Sequence, residues 1–225
     1  TATPKSFSAN VTWQTDRIGS SFIEVGEDIE HLGKEKGGDT VGSLDLSTKH
    51  TVDLLGLEPE TAYTYRAIWL DQDGNRGQSD TLTFKTGLRP KISDVKISNV
   101  TLISATVSWT STTVATSKIV YGKNRAYNLS VEDSSGSQTT RHSIRFDALD
   151  HSSPYSLIIN GSDTDGNFLT SDEYTFTTLT KPSLKDVRFE PVKDTTSTTM
   201  RFAWDTNVPT TSTIQYTAAG GVRKR

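Results

Sequence analysis

Ser104-Ala105-Thr106-Val107-Ser108-Trp109-Thr110-Ser111-Thr112 decides the fold, because the chain of 225 residues contains it three times. SANVTWQTD at Ser8–Asp16 and TMRFAWDTN at Thr199–Asn207 are the other two copies. Their tryptophans, Trp13, Trp109 and Trp204, stand 96 and 95 positions apart. Each copy is followed by a second short alternating segment, ending at Gly26, at Gly122 and at Tyr216. Self-similarity at such a period marks a tandem array.

The rest of the unit repeats at a constant offset of 92. His50 matches His142, Leu57 matches Leu149, Tyr63 matches Tyr155, and Asp71-Gln72-Asp73-Gly74-Asn75 matches Asp163-Thr164-Asp165-Gly166-Asn167. The change from 96 to 92 places a four-residue difference between Gly26 and His50, a stretch carrying Gly37-Gly38, so that stretch reads as a loop of variable length. The chain therefore divides into residues 1–87, a unit lacking most of its first strand, 88–180, a complete unit, and 181–225, the beginning of a third.

Within a unit, large apolar and small polar residues alternate with period two, as in Val107-Ser108-Trp109 and Tyr174-Thr175-Phe176. Such alternation buries one face of a strand and leaves the other in water. Short strands punctuated by Gly, Asn, Asp and Ser predict an all-β architecture of tandem sandwiches with two antiparallel sheets each. In the second unit the strands are A (Ile92–Ser98), B (Ala105–Trp109), C (Ser117–Tyr121), E (Ser143–Asp147), F (Tyr155–Ser162) and G (Glu173–Thr178). In the first unit B covers Asn10–Trp13, C Phe22–Val25, E Thr51–Leu55, F Tyr63–Leu70 and G Thr81–Lys85. The third unit is expected to hold A, B and C. The three tryptophans, with Leu57, Tyr63, Leu149 and Tyr155, are the expected core.

Leu57-x-Pro59-x-Thr61-x-Tyr63, the strand-B tryptophans and Ile119-Val120-Tyr121-Gly122 resemble fibronectin type III domains. The tyrosine of that pattern forms a corner at the start of strand F in the family. The second unit keeps Leu149 and Tyr155 but has His151 in place of Pro and Ser153 in place of Thr. The histidine opening strand E and the Asp-x-Asp-Gly-Asn segments are similar to the variant that precedes purple acid phosphatase catalytic domains and occurs in bacterial and archaeal surface proteins. That fold hosts many roles, so the resemblance speaks to architecture more than to activity.

Composition narrows the rest. A net charge of −3 argues against a nucleic-acid partner, and the longest apolar run, Ala67–Leu70, is far short of the roughly 18 residues a membrane-spanning helix needs. With no cysteine there is no disulfide, iron–sulfur or cysteine-bound zinc chemistry. No nucleophile elbow, His-Glu-x-x-His or phosphate-binding loop is present, so no catalytic residue, cofactor or metal ligand is assigned.

Individual candidates have plain readings. The Asp-x-Asp-Gly-Asn segments open like a calcium loop, but the twelfth positions are Leu82 and Tyr174 rather than Glu, which favours tight turns. His50 and His142 each stand alone on a strand and read as structural; His31 and His151 fall in loops. Trp69 is either a sugar platform or an inward domain-end residue, and its register with Tyr63, Tyr65 and Ala67 favours the latter. Asn10, Asn99, Asn128 and Asn160 open glycosylation sequons. The terminal Gly220–Arg225 cluster reads as a solvated tail.

The expected role is a non-catalytic extracellular spacer or adhesion segment at a cell surface, a rod whose partners are neighbouring domains. Surface proteins, glycans or copies of itself are further candidate partners. The alternatives are an accessory module of a secreted phosphatase or glycosidase, or a filament subunit in which one copy completes another's third unit.

Overall fold

The computed structural model describes residues 1–34, 37–133, 138–192 and 199–217, and it is built almost wholly of antiparallel strands. The terminal cluster Gly220–Arg225 lies outside the described residues. In the second unit, β7 (Ile92–Ser98), β8 (Ala105–Ala115) and β11 (Thr139–Phe146) form one sheet, with β8 central. The facing sheet runs β10 (Leu129–Glu132), β9 (Lys118–Gly122), β12 (Pro154–Ser162), β13 (Phe168–Thr170), with β14 (Tyr174–Thr177) also paired to β12. Alternate residues of the two sheets close on each other: Val107 and Ile144 from one layer pack with Ile119, Leu157 and Ile159 from the other. These are the strands A, B, E and C, F, G of the sequence reading, with longer B and E strands. Two short strands the pattern did not reveal, β10 and β13, are added.

The first unit has the same order but a different continuity. Its strands are β1 (Ala2–Pro4), β2 (Ser8–Gly26), β3 (Asp39–Leu55), β4 (Ala62–Leu70), β5 (Arg76–Gln78) and β6 (Leu82–Lys85). The first strand is three residues long against seven in the second unit, and it pairs to β2 with Ala2 opposite Val11. The expected strands B and C are one 19-residue strand: Ser8–Gln14 pairs with the end of β3, and Phe22–Gly26 pairs with β4. Register breaks around Gly19 let β2 bend from one layer into the other without interruption. A side chain at Gly19 would come within 3.0 Å of the Leu70 carbonyl oxygen, so glycine is what lets the bend sit against β4.

In the third unit, β15 (Leu184–Pro191) and β16 (Met200–Thr206) pair with Phe189 opposite Phe202. The expected strand C at Thr213–Tyr216 is not formed among the described residues, where only Tyr216 makes a bridge. The reason is partnership. In the second unit β9 is held on both sides, by β10 and β12, and the described part of the third unit contains no counterpart of either. Its sheet face is open as a result. Met200 and Phe202 are 40% and 42% exposed, whereas their counterparts Ala105 and Val107 are fully covered.

Candidate functional site

The most elaborate side-chain arrangement repeats in the first two units and centres on the matched histidines. His142 lies on β11 directly opposite Trp109 on β8, and the two rings stack with centroids 5.0 Å apart and an interplanar angle of 11°. His50 stacks on Trp13 at 4.8 Å and the same angle. Both imidazoles are buried, at 5% and 2% exposure. Each ring nitrogen meets a hydroxyl. His142 Nε2 is 2.9 Å from Ser111 Oγ and Nδ1 is 2.6 Å from Ser117 Oγ. His50 Nε2 and Nδ1 are each 2.8 Å from Thr15 Oγ1 and Ser21 Oγ.

The surrounding donors determine the tautomer. Ser111 gives its proton to the Thr113 carbonyl, and Thr15 gives its proton to that of Arg17. These hydroxyls therefore accept from Nε2–H, which leaves Nδ1 to accept from Ser117 or Ser21. The ring is neutral in this scheme. Burial pushes both histidines below the usual imidazole value, with Asp133 partly opposing the shift at His142. A serine hydroxyl against an imidazole also resembles an activated nucleophile. Here Ser117 and Ser111 are themselves buried and spend their bonds on the ring and backbone, so the arrangement clamps the end of strand E to the B–C bend.

Sequence reasoning placed the histidines as structural but missed their hydroxyl partners. The signal was present: Thr15 and Ser111, and Ser21 and Ser117, share the offset of 96 that relates the tryptophans. The tryptophans differ in depth. Trp109 is 3% exposed, while Trp13 and Trp204 are half-buried, and the Trp13 indole N–H is buried without a partner among the described residues.

Both tyrosine corners are built alike. Tyr63 and Tyr155 hydroxyls each accept the backbone N–H of the residue five positions earlier, Glu58 and Asp150, at 2.9 Å. Thr61 donates to the Pro59 carbonyl and Ser153 to the His151 carbonyl, both at 3.0 Å. The departures at His151 and Ser153 thus leave the hydrogen bonds unchanged, because the corner uses a hydroxyl and a carbonyl that the substitutes still carry. Leu57 and Leu149 are buried beneath these corners.

The Asp-x-Asp-Gly-Asn segments are turns knitted from within. Asp163 Oδ1 accepts from the amides of Asp165 and Asn167, and its Oδ2 accepts from the Asn167 side chain; Asp71 makes the same three bonds. Those bonds from Asn75 hold the Asp71 carboxyl below its ordinary value. Gly74 and Gly166 take the left-handed φ of 83° and 85°.

The other candidates stand apart. His31 is exposed and pairs with Asp28 at 2.8 Å, which raises its value. His151 is exposed beside Ser152. Trp69 faces inward at the end of β4 opposite Gly77, its ring lying where a side chain at Gly77 would stand.

The units are joined by a second repeated device. Thr112 Oγ1 donates to the Arg89 carbonyl and accepts the Lys91 amide, at 2.7 and 2.9 Å. Asn207, in the matching place, clasps the Lys181 carbonyl and the Ser183 amide at 3.0 and 2.8 Å. The Arg89 side chain turns back onto the first unit, 5.7 Å over the Phe7 ring and 2.9 Å from Glu58. Lys5 of the first unit meets Asp165 in the F–G turn of the second at 3.1 Å.

In the second unit the three-stranded A–B–E sheet faces the sheet of β10, C, F and G, closed by a tyrosine corner, and the first unit repeats this order. The first two units are fibronectin type III-type sandwiches. Residues 1–86 match the family model described as the purple acid phosphatase N-terminal domain. No curated protein matches the chain. Among solved structures, the chain is similar to the chicken CNTN1 FN1-FN3 domains, at 13% identity and a TM-score of 0.39. That similarity covers 80% of this chain and 66% of that one. A computationally redesigned β-sandwich protein is matched at 18% identity and a TM-score of 0.34, over 41% of this chain and 98% of that one.

Proposed function

We propose that the chain is a non-catalytic extracellular spacer and adhesion segment of a surface protein, a rod of β-sandwiches that holds other domains away from the cell. The observation that carries this reading is the joint. The linker backbone is clasped by the following unit through Thr112, and the Arg89 side chain is held by the preceding one, with Lys5–Asp165 alongside. A linker tied at both ends resists bending, which is the mechanical property a spacer needs. The buried clamps and corners serve the same end, stabilising each unit without disulfides.

Small-angle scattering of the chain tests this. A rod gives a radius of gyration well above the roughly 17 Å of a compact globule of this length. R89A combined with K5E is expected to broaden the distance distribution. A compact particle, or a profile unchanged by the double variant, overturns the spacer reading.

A further inference from the structure

The outer face of the second unit carries a shallow cavity of about 310 Å³, lined among others by Lys118, Glu132, Asn160, Ser162 and Phe168. Its volume sits at the lower end of the range of about 300–1,000 Å³ found for ligand pockets. Inward residues of β12, Leu157 and Ile159, are fully buried, so Asn160 and Ser162 point outward. Phe168 is paired with Ser162 across the ribbon and Thr170 with Asn160, which puts the phenyl ring on the same outer face, one diagonal step from Asn160. Phe168 is 67% exposed, so its ring is open to a ligand on that face.

Asn160-Gly161-Ser162 is one of the four sequons, and its surroundings set it apart. Among the described residues, neither the Asn160 carboxamide nor the Ser162 hydroxyl makes a hydrogen bond, so both groups of the acceptor motif are free. At Asn10 the carboxamide is bound to Asp53 at 2.8 Å. At Asn99 the sequon hydroxyl of Thr101 is engaged by Ser104 at 2.7 Å. Asn128 is exposed, but its carboxamide oxygen lies against Gly122.

We propose that Asn160 is an N-glycosylation site whose first sugar, an N-acetylhexosamine, lies in this cavity with its apolar face on Phe168. The negative face of the phenyl ring meets the electropositive C–H bonds of a pyranose, and the flanking Lys118, Glu132 and Ser162 offer partners to its hydroxyl and acetamido groups. A transferase using a lipid-linked sugar diphosphate forms the bond from Asn160 Nδ2 to the anomeric carbon. The anomeric carbon–oxygen bond breaks, the diphosphate leaves with the electron pair, and the amide proton passes to the transferase's base. The proposal rests on the surface location proposed above.

Passing the chain through the secretory route of a host that glycosylates Asn-x-Ser/Thr tests the site whatever the native location is. Peptide mass spectrometry is expected to find Asn160 occupied. After trimming to a single N-acetylglucosamine, the second unit should melt about 2–4 °C above N160Q, with the gain lost in the F168A background. Nuclear magnetic resonance should show ring-current shifts of the sugar protons that F168A removes. An unmodified Asn160, a gain that survives F168A, or unshifted sugar protons overturns the proposal.

Discussion

Lowering the pH from 7 to 5.5 should destabilise the second unit through His142. The folded ring is neutral, accepts Ser117 at Nδ1 and is pushed below its ordinary value by burial under Trp109. The unfolded chain binds a proton near pH 6.5 that the folded unit resists. A depressed folded value means the stabilisation is fully present above pH 6.5 and is lost as the pH falls toward the folded value. The slope is at most about 1.4 kcal/mol per pH unit for one group. With a urea m-value of about 1–3 kcal/mol/M, the midpoint should drop by up to about 1 M between pH 7 and 5.5. The Asp150 carboxyl, held low by Lys123, contributes only at more acid pH, as the carboxylates themselves titrate. The assay is a urea titration followed on the amide resonances of Leu157 and Ile159, which report this unit alone. H142Q removes two hydrogen bonds and a ring stack, costing about 2–4 kcal/mol at pH 7, and should flatten the profile between pH 6.5 and 5. A midpoint that does not move with pH, or an H142Q slope equal to that of the parent, refutes the neutral clamp. In the first unit the exposed His31–Asp28 pair acts with opposite sign: its contribution is present below pH 6.5 and lost as the pH rises through the raised folded value.

The two corners should differ in cost. Y155F leaves the part-buried Asp150 amide without its acceptor and should destabilise by about 1–3 kcal/mol, while Y63F, at an exposed amide that water can reach, should cost about 0.5–1.5 kcal/mol; chemical denaturation of each unit checks the order. G77A puts a methyl 2.2 Å from the Trp69 ring, so the ring must leave its seat, at about 1–3 kcal/mol, with a red shift of indole emission. The open face of the third unit should bind anilinonaphthalene sulfonate, and F202D should reduce that fluorescence while leaving the resonances of the first two units in place.

The array and its sandwiches were legible because repetition supplies register. Aligning the tryptophans at 96 and the histidines at 92 places strands B and E in every unit, and the period-two pattern then says which side chains turn inward. What stayed hidden had no apolar pattern to reveal it. β10 and β13 are short, and β13 exposes its Phe168, so each lacks the alternation that betrays a longer strand. The clamp hydroxyls were lost among 61 Ser and Thr residues, any two of which look alike until a fold brings them to one ring.

Trp69 shows most plainly why single positions mislead. Read alone it is an unrepeated tryptophan, which invites a binding role. Its counterpart is Gly161, and the counterpart of its cross-strand partner Gly77 is Leu169. Large faces small in both units, with the large residue moved from β4 in one to β13 in the other. In the first unit a side chain at Gly77 meets the indole, so the pair is filled by Trp69 alone, whereas at Gly161 the obstacle is the Thr116 carbonyl oxygen, 2.5 Å away, rather than Leu169. The volume is thus closed by a side chain in one unit and by neighbouring backbone in the other. Pairing across strands depends on the register of two hairpin arms, and that quantity first becomes visible in three dimensions.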